Sequence, residues 1–261
     1  MRIEFLTQDD PLYILPFFEE FFRNYAGEFE VTQVSCCRTM GTRSRQQLIK
    51  ELVCLFGPFG FVRLAGQVAT SRVLGLLPLG REACRFHSMS QLCRTYSIPF
   101  QHIRNPNAPS YLQSVAARSP DLILSVACPY IFKEQLLALP PLGCINIHHA
   151  PLPRYQGMMP TFWQMFHREG SVGVTVHYMA SKVDQGAALL QEDLKIELGE
   201  SLDQLIRRSK RHGAHCMARV VRQIVSQTQA PIEPGQKQGS YFTFPTVTEI
   251  REFRRRGFRA I

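Results

Sequence analysis

No two of the eight cysteines stand as a C-x-x-C pair; they fall at 36, 37, 54, 84, 93, 128, 144 and 216, several inside apolar runs. That pattern fits reduced, buried thiols in a cytoplasmic protein better than a disulfide framework, and it makes Cys36-Cys37 strand filler rather than a redox pair. The apolar 39–80 stretch also lacks a long uncharged run. The longest in the apolar 39–80 stretch is Leu52 to Val62, 11 residues, which contains Pro58 and two glycines. A bilayer span needs about 20. The opening Met1-Arg-Ile-Glu-Phe-Leu-Thr carries Glu4 and is too short to be a signal peptide. The segment Thr7-Gln-Asp-Asp-Pro11 has no glycine, so it is neither a dinucleotide fingerprint nor a phosphate cradle. There is no internal repeat.

What is present is a chain of 261 residues, 45% hydrophobic, enough for one sizeable α/β domain with a small appendage. The net charge of +9 favours anionic partners such as phosphorylated substrates, nucleic acid or an acidic membrane surface; a merely solvated basic surface reads equally well. Arg2 to Thr7 reads as a strand, Leu12 to Tyr25 as a helix and Phe29 to Cys37 as a second strand. This βαβ opening predicts a Rossmann-like, doubly wound, mostly parallel sheet. Ser44 to Phe56 and Phe61 to Leu77 read as helices broken at Gly57-Pro-Phe-Gly60. They form a helical insertion at about 39–80 that covers the sheet or makes a homodimer contact. A peripheral membrane hairpin rimmed by Arg43, Arg45, Lys50, Arg63 and Arg72 is the other reading.

The α/β rhythm then resumes with helices at Met89 to Tyr96 and Ser110 to Arg118 and a strand at Phe100 to Ile103. Asp121 to Ala127 has the continuous apolar character of a central parallel strand. Strands follow at Gly173 to Met179 and Leu189 to Ile196. Ser201-Leu-Asp-Gln204 is a capping box that starts a helix to about Ser226. The expected organisation is a catalytic domain over 1–228 and a linker with a short C-terminal tail over 229–261.

The chemistry concentrates at Cys144-Ile-Asn-Ile-His-His-Ala-Pro-Leu-Pro153. A strand has period 2, so Asn146 and His148 point to one face, and Pro151 and Pro153 end the ladder. An amide donor beside an imidazole at a strand's C-terminal end suggests a reaction centre. His149 points to the opposite face and reads as structural. A zinc site from His148, His149, His177 and Asp184 needs convergent imidazoles, whereas adjacent strand residues diverge. No metal is expected.

The run Asn146-Ile-His148-His-Ala-Pro-Leu-Pro153, then Gly157, then Gly173-Val-Thr-Val-His177, then Val183-Asp184-Gln-Gly186 resembles the folate-dependent formyltransferase family, which shows N-x-H-x-S-L-L-P followed by D-x-G. The resemblance covers residues 120–200 well and the first strand–helix unit loosely. Ala150 stands where the family has Ser, and Pro151 where it has Leu. It implies a formyltransferase with 10-formyltetrahydrofolate as donor. Formyl transfer suits these residue types: an amine attacks a formyl carbonyl, and donors to the developing oxyanion supply the largest catalytic effect, ~3–4 kcal/mol each. Asn146 is then the oxyanion donor, His148 the electrophile and acid to the leaving N10, and Asp184 the base that orients His148. The resemblance also places the folate pteridine against Pro129, Tyr130, Ile131 and Phe132, with Val183 in the loop that closes the pocket.

The acceptor is less legible. The Tyr155-x-Gly157-Met-Met-Pro-Thr-Phe-Trp163 run resembles the sugar and small-amine members. A small primary amine, an amino sugar linked to a nucleotide or otherwise phosphorylated, is the expected substrate, with no stable nucleic-acid partner. A methionyl-tRNA formyltransferase-like activity and hydrolysis of 10-formyltetrahydrofolate are the alternatives. From Arg207 onward 12 Lys/Arg stand against Glu233, Glu249 and Glu252, which read as solvated charge.

Overall fold

Short apolar runs become strands and amphipathic stretches become the helices that cover them. The computed structural model describes residues 1–37, 44–180, 184–230, 232 and 239–261. Arg43 and Val183, and the side chain of Arg45, lie outside what is described. The elements are β1 (Arg2–Gln8), α1 (Leu15–Tyr25), β2 (Glu30–Cys37), α2 (Arg45–Leu74), α3 (Met89–Thr95), β3 (Phe100–Ile103), α4 (Pro109–Arg118), β4 (Leu122–Val126), α5 (Glu134–Leu137), β5 (Cys144–His148), β6 (Gln156–Gly157), α6 (Pro160–Phe166), β7 (Ser171–Tyr178), β8 (Ala188–Lys195), α7 (Leu202–Val225), β9 (Tyr241–Phe242) and α8 (Val247–Arg255).

Seven strands form one sheet in the order β3-β2-β1-β4-β5-β7-β8. Pairing is parallel from β3 to β5 and antiparallel at β5–β7 and β7–β8. The sheet is therefore mostly parallel and Rossmann-like, as the sequence predicts. Helix α1 begins three residues later than the pattern suggests. The Asp10 carboxylate accepts the Leu12 and Tyr13 N–H groups at 2.8 and 3.1 Å and holds the preceding residues in a turn.

Covering both faces makes the central strands mostly apolar, with one buried carboxylate in β1. Glu4 is fully buried and accepts two hydrogen bonds from the Arg118 guanidinium and one from the Tyr111 hydroxyl. On one side Phe5 packs edge-to-face with Phe18 and Phe21 at 5.1 Å between ring centroids, and α7 lies beside α1. A second cluster joins Leu55 and Phe56 of α2, Phe162 and Trp163 of α6, Leu202 and Leu205 of α7, and Ile250 and Phe253 of α8.

Two segments depart from the sequence pattern. The helical insertion is one element, Arg45–Leu74, kinked at Gly57 alone (φ 73°, ψ 166°), because Pro58 has no N–H to satisfy and suits the first turn of the resumed helix. Residues 156–157, which carry no strand pattern of their own, form β6 and pair in parallel with β9 of the tail.

Candidate active site

Strand β5 delivers Asn146 and His148 from its last three residues, and β7 runs antiparallel beside it. The register sets His177 directly opposite Asn146 and Thr175 opposite His148. Asp184 enters from the loop after β7 with φ +53°, a left-handed conformation that Asp tolerates better than most side chains. A Cβ on Gly186 would lie 1.6 Å from the Tyr178 carbonyl oxygen, so only glycine lets that loop fold back onto the strand end.

Four polar side chains meet there. Asp184 presents Oδ2 to His148 Nδ1 at 3.6 Å and Oδ1 to His177 Nε2 at 3.7 Å. His148 donates from Nε2 to the Tyr155 carbonyl at 2.8 Å. With Nε2 committed as donor, Nδ1 is the nitrogen that trades a proton with the carboxylate side. His177 donates from Nδ1 to the Tyr178 carbonyl at 2.8 Å, and its Nε2 lies 3.2 Å from Asn146 Nδ2. Burial pushes the His177 imidazole below its ordinary value, against smaller opposing effects of the Tyr178 carbonyl and Asp184. A neutral His177 accepts one N–H of Asn146, which leaves the other amide hydrogen free to donate.

The carboxylate is anchored from the other side. The Gly157 N–H donates to Asp184 Oδ2 at 3.2 Å, and Gln156 Nε2 donates to the Asp184 carbonyl at 3.1 Å. β6 is in turn held by β9, and Phe242 of β9 stacks on Tyr155 and Trp163 at 5.5 and 4.7 Å. The structure thus brings Asn146, His148 and Asp184 together and adds His177, the Tyr155 carbonyl and the Gly157 N–H. The sequence shows His177 only as the end of Gly-Val-Thr-Val-His; its position opposite Asn146 follows from an antiparallel register that spacing does not reveal.

The expected folate loop follows β4. Its Phe132 side chain is turned into the core with Leu6, Tyr111 and Leu136, whereas Ile131 is exposed and Pro129 and Tyr130 are half-buried. Asn107 braces the loop, donating to the Ile131 carbonyl at 3.0 Å and accepting from the Lys133 N–H at 2.8 Å. Val183 lies outside the described residues.

His149 diverges from the site. It is buried against α7, with Nδ1 2.7 Å from the Ser209 hydroxyl, and burial holds it well below its ordinary value. This removes it from any zinc set with His148 and His177. Among the described residues Glu192, His212 and Cys216 could converge on an ion, but Arg219 already engages Glu192. A polar cavity of about 250 Å³ beside Pro151, Arg154, Gln191 and Asp193 is lined by none of the four site residues.

The profile of the formyl transferase family matches residues 82–221. A methionyl-tRNA formyltransferase of Syntrophus aciditrophicus is 39% identical over 140 residues, 54% of this chain and 45% of that protein, so the chain spans about half the length of the curated relatives it matches. Among solved structures, glycinamide ribonucleotide transformylase 1 of Symbiobacterium toebii superposes with a TM-score of 0.60 at 15% identity, covering 93% of this chain and 94% of that one. A sugar N-formyltransferase of a Shewanella species gives 0.55 at 16% identity, covering 93% and 76%. These two likenesses establish a shared fold. The matched profile covers more than half of the residues and contains the whole Asn146, His148, His177 and Asp184 cluster: the chain belongs to the formyl transferase family.

Proposed function

We propose that the chain transfers a formyl group from 10-formyltetrahydrofolate to the primary amine of a small anionic acceptor, with a nucleotide-linked amino sugar as first choice. The observation that carries this reading is the convergence of Asn146, His148 and Asp184 at the end of β5. The donor supplies an activated formyl carbonyl. The braced 129–132 loop fits a flat heterocycle, because it offers an exposed Ile131 and fixed backbone groups at the strand ends.

The free N–H of Asn146 is placed to donate to the formyl oxygen as negative charge develops there, in a partly buried site where such a donor acts strongly. Asp184 takes the proton of the attacking amine and hands it to His148 Nδ1, which lies 3.6 Å from its Oδ2. His148 then returns a proton to the leaving nitrogen. A neutral His177 orients Asn146 and does not compete with Asp184 for that proton.

The +9 charge suits an acceptor carrying phosphates. A second reading, an aminoacyl-tRNA acceptor, is favoured by the 39% identity to a methionyl-tRNA formyltransferase. Donor consumption measured against a panel of amines separates the readings. Turnover with sugar-nucleotide amines supports the first choice, and turnover confined to methionyl-tRNA supports the second. Turnover without amine identifies a hydrolase. Absence of donor consumption with every amine, by protein whose Asp184→Asn variant is equally silent, sinks the enzymatic reading.

A further inference from the structure

By length and composition α2 is apolar enough to cross a membrane, yet only 22% of its most apolar window is buried in the fold. A core helix of a soluble protein would be mostly covered. Its inner face is accounted for: Leu55, Phe56 and Leu64 enter the second core cluster, and Arg254 of α8 donates to the Cys54 and Leu55 carbonyls. The outer face is not. After the kink, Phe59, Val62, Gly66, Ala69, Val73 and Leu76 recur at helical spacing and are all exposed, Phe59 by 84% and Leu76 by 75%. At 100° per residue this stripe has Arg63 and Arg72 about 90° to either side of its centre. Neither arginine has a hydrogen-bond or ion-pair partner among the described residues. From residue 52 to 81 there are three arginines and no Asp or Glu.

We propose that this outer face of α2 docks in the interface of an anionic lipid bilayer, lying in its plane. An apolar stripe between two unpaired arginines is the arrangement that sinks below the headgroups while the guanidiniums reach lipid phosphates. Spanning is disfavoured by the packed inner face and by the kink at Gly57, which leaves a straight segment 58–74 that rises only about 25 Å against a hydrocarbon thickness of about 30 Å. A second copy is a poor occupant, since it would set arginines against arginines with no carboxylate in the stretch to pair them. A groove of about 290 Å³ lined by Gly66, Gln67, Thr70, Ser71, Arg85 and His87 runs beside the stripe and adds cationic and hydroxyl donors at its edge.

Flotation of the full chain with vesicles tests this, using phosphatidylcholine alone and phosphatidylcholine with phosphatidylglycerol. The wild type is expected to float with the anionic vesicles and far less with the neutral ones. Val62→Asp with Val73→Asp, both at exposed positions, is expected to abolish flotation with an unchanged circular dichroism spectrum. Arg63→Glu with Arg72→Glu is expected to weaken it about thirty-fold or more. The proposal is overturned if the wild type stays in solution with anionic vesicles, or if both double variants float like the wild type. A concentration-dependent dimer lost in Val62→Asp/Val73→Asp, without vesicle binding, assigns the face to a second copy instead.

Discussion

The Gly157 N–H donates to Asp184 Oδ2 at 3.2 Å, so the backbone of a two-residue strand fixes the carboxylate that faces both site histidines. Gly157 has φ +90°, and a Cβ there would lie 2.3 Å from the Phe242 carbonyl oxygen. Gly157→Ala is expected to separate β6 from β9 at a cost of about 1–3 kcal/mol and to release Asp184. Urea unfolding and kcat should both change; a variant with wild-type kcat would show that this tether is not needed.

On the proposed mechanism, Asn146→Ala removes one oxyanion donor without touching the core. A loss of about 100- to 1,000-fold in kcat is expected with little change in melting temperature. On the same mechanism Asp184→Asn should lose at least as much, because it removes the proposed proton acceptor and the carboxylate facing His148 together. Equal activity in Asn146→Ala and wild type would remove the amide from the mechanism.

Buried His149 has a folded value well below 6.5, so above pH 6.5 folded and unfolded chains are both neutral there. As pH falls below 6.5 the unfolded chain binds the proton first, and the stability present at neutral pH is lost. His177 adds in the same direction. His149→Asn is expected to flatten the stability profile below pH 6.5, as read by urea midpoints across pH.

Half-buried Lys210 acts in the same direction at alkaline pH. Burial lowers it to about 8 from an ordinary 10.5. Between those values the unfolded chain holds a proton that the folded chain does not, so stability should climb as pH rises from about 8 to 10.5. Lys210→Met should remove the climb; a profile identical to wild type counts against a desolvated amine.

Glu4→Gln leaves Arg118 and Tyr111 facing a neutral amide in the core. Breaking such a buried pair typically costs about 3–5 kcal/mol. The urea midpoint should fall, with specific activity of the folded fraction retained.

The α/β fold was legible because burial writes itself into the sequence. Leu122–Val126 is apolar on both faces and could only be a central strand, and Ser201 with Gln204 forms the capping box its residues announce. Asn146 and His148 were legible from period 2 alone. Other features depend on contacts between distant segments. The place of His177 opposite Asn146 is set by an antiparallel register, and the Phe132 side chain turns into the core although its neighbours do not. Nothing in Gln156-Gly157 announces a strand, because its partner lies at Tyr241–Phe242. The unbroken run of helix from Pro58 was obscured by two glycines that suggested a longer interruption.

The pairing of Gln156 with Tyr241 closes a chain separation of 85 residues (241 − 156). Every strand of the large sheet precedes residue 196 in the chain. During synthesis, therefore, the sheet and the Asn146–His177 pair can assemble before the partner of β6 has been made. The Gly157 tether on the Asp184 carboxylate is therefore braced only when Tyr241–Phe242 arrives, after the strands that carry Asn146, His148 and His177.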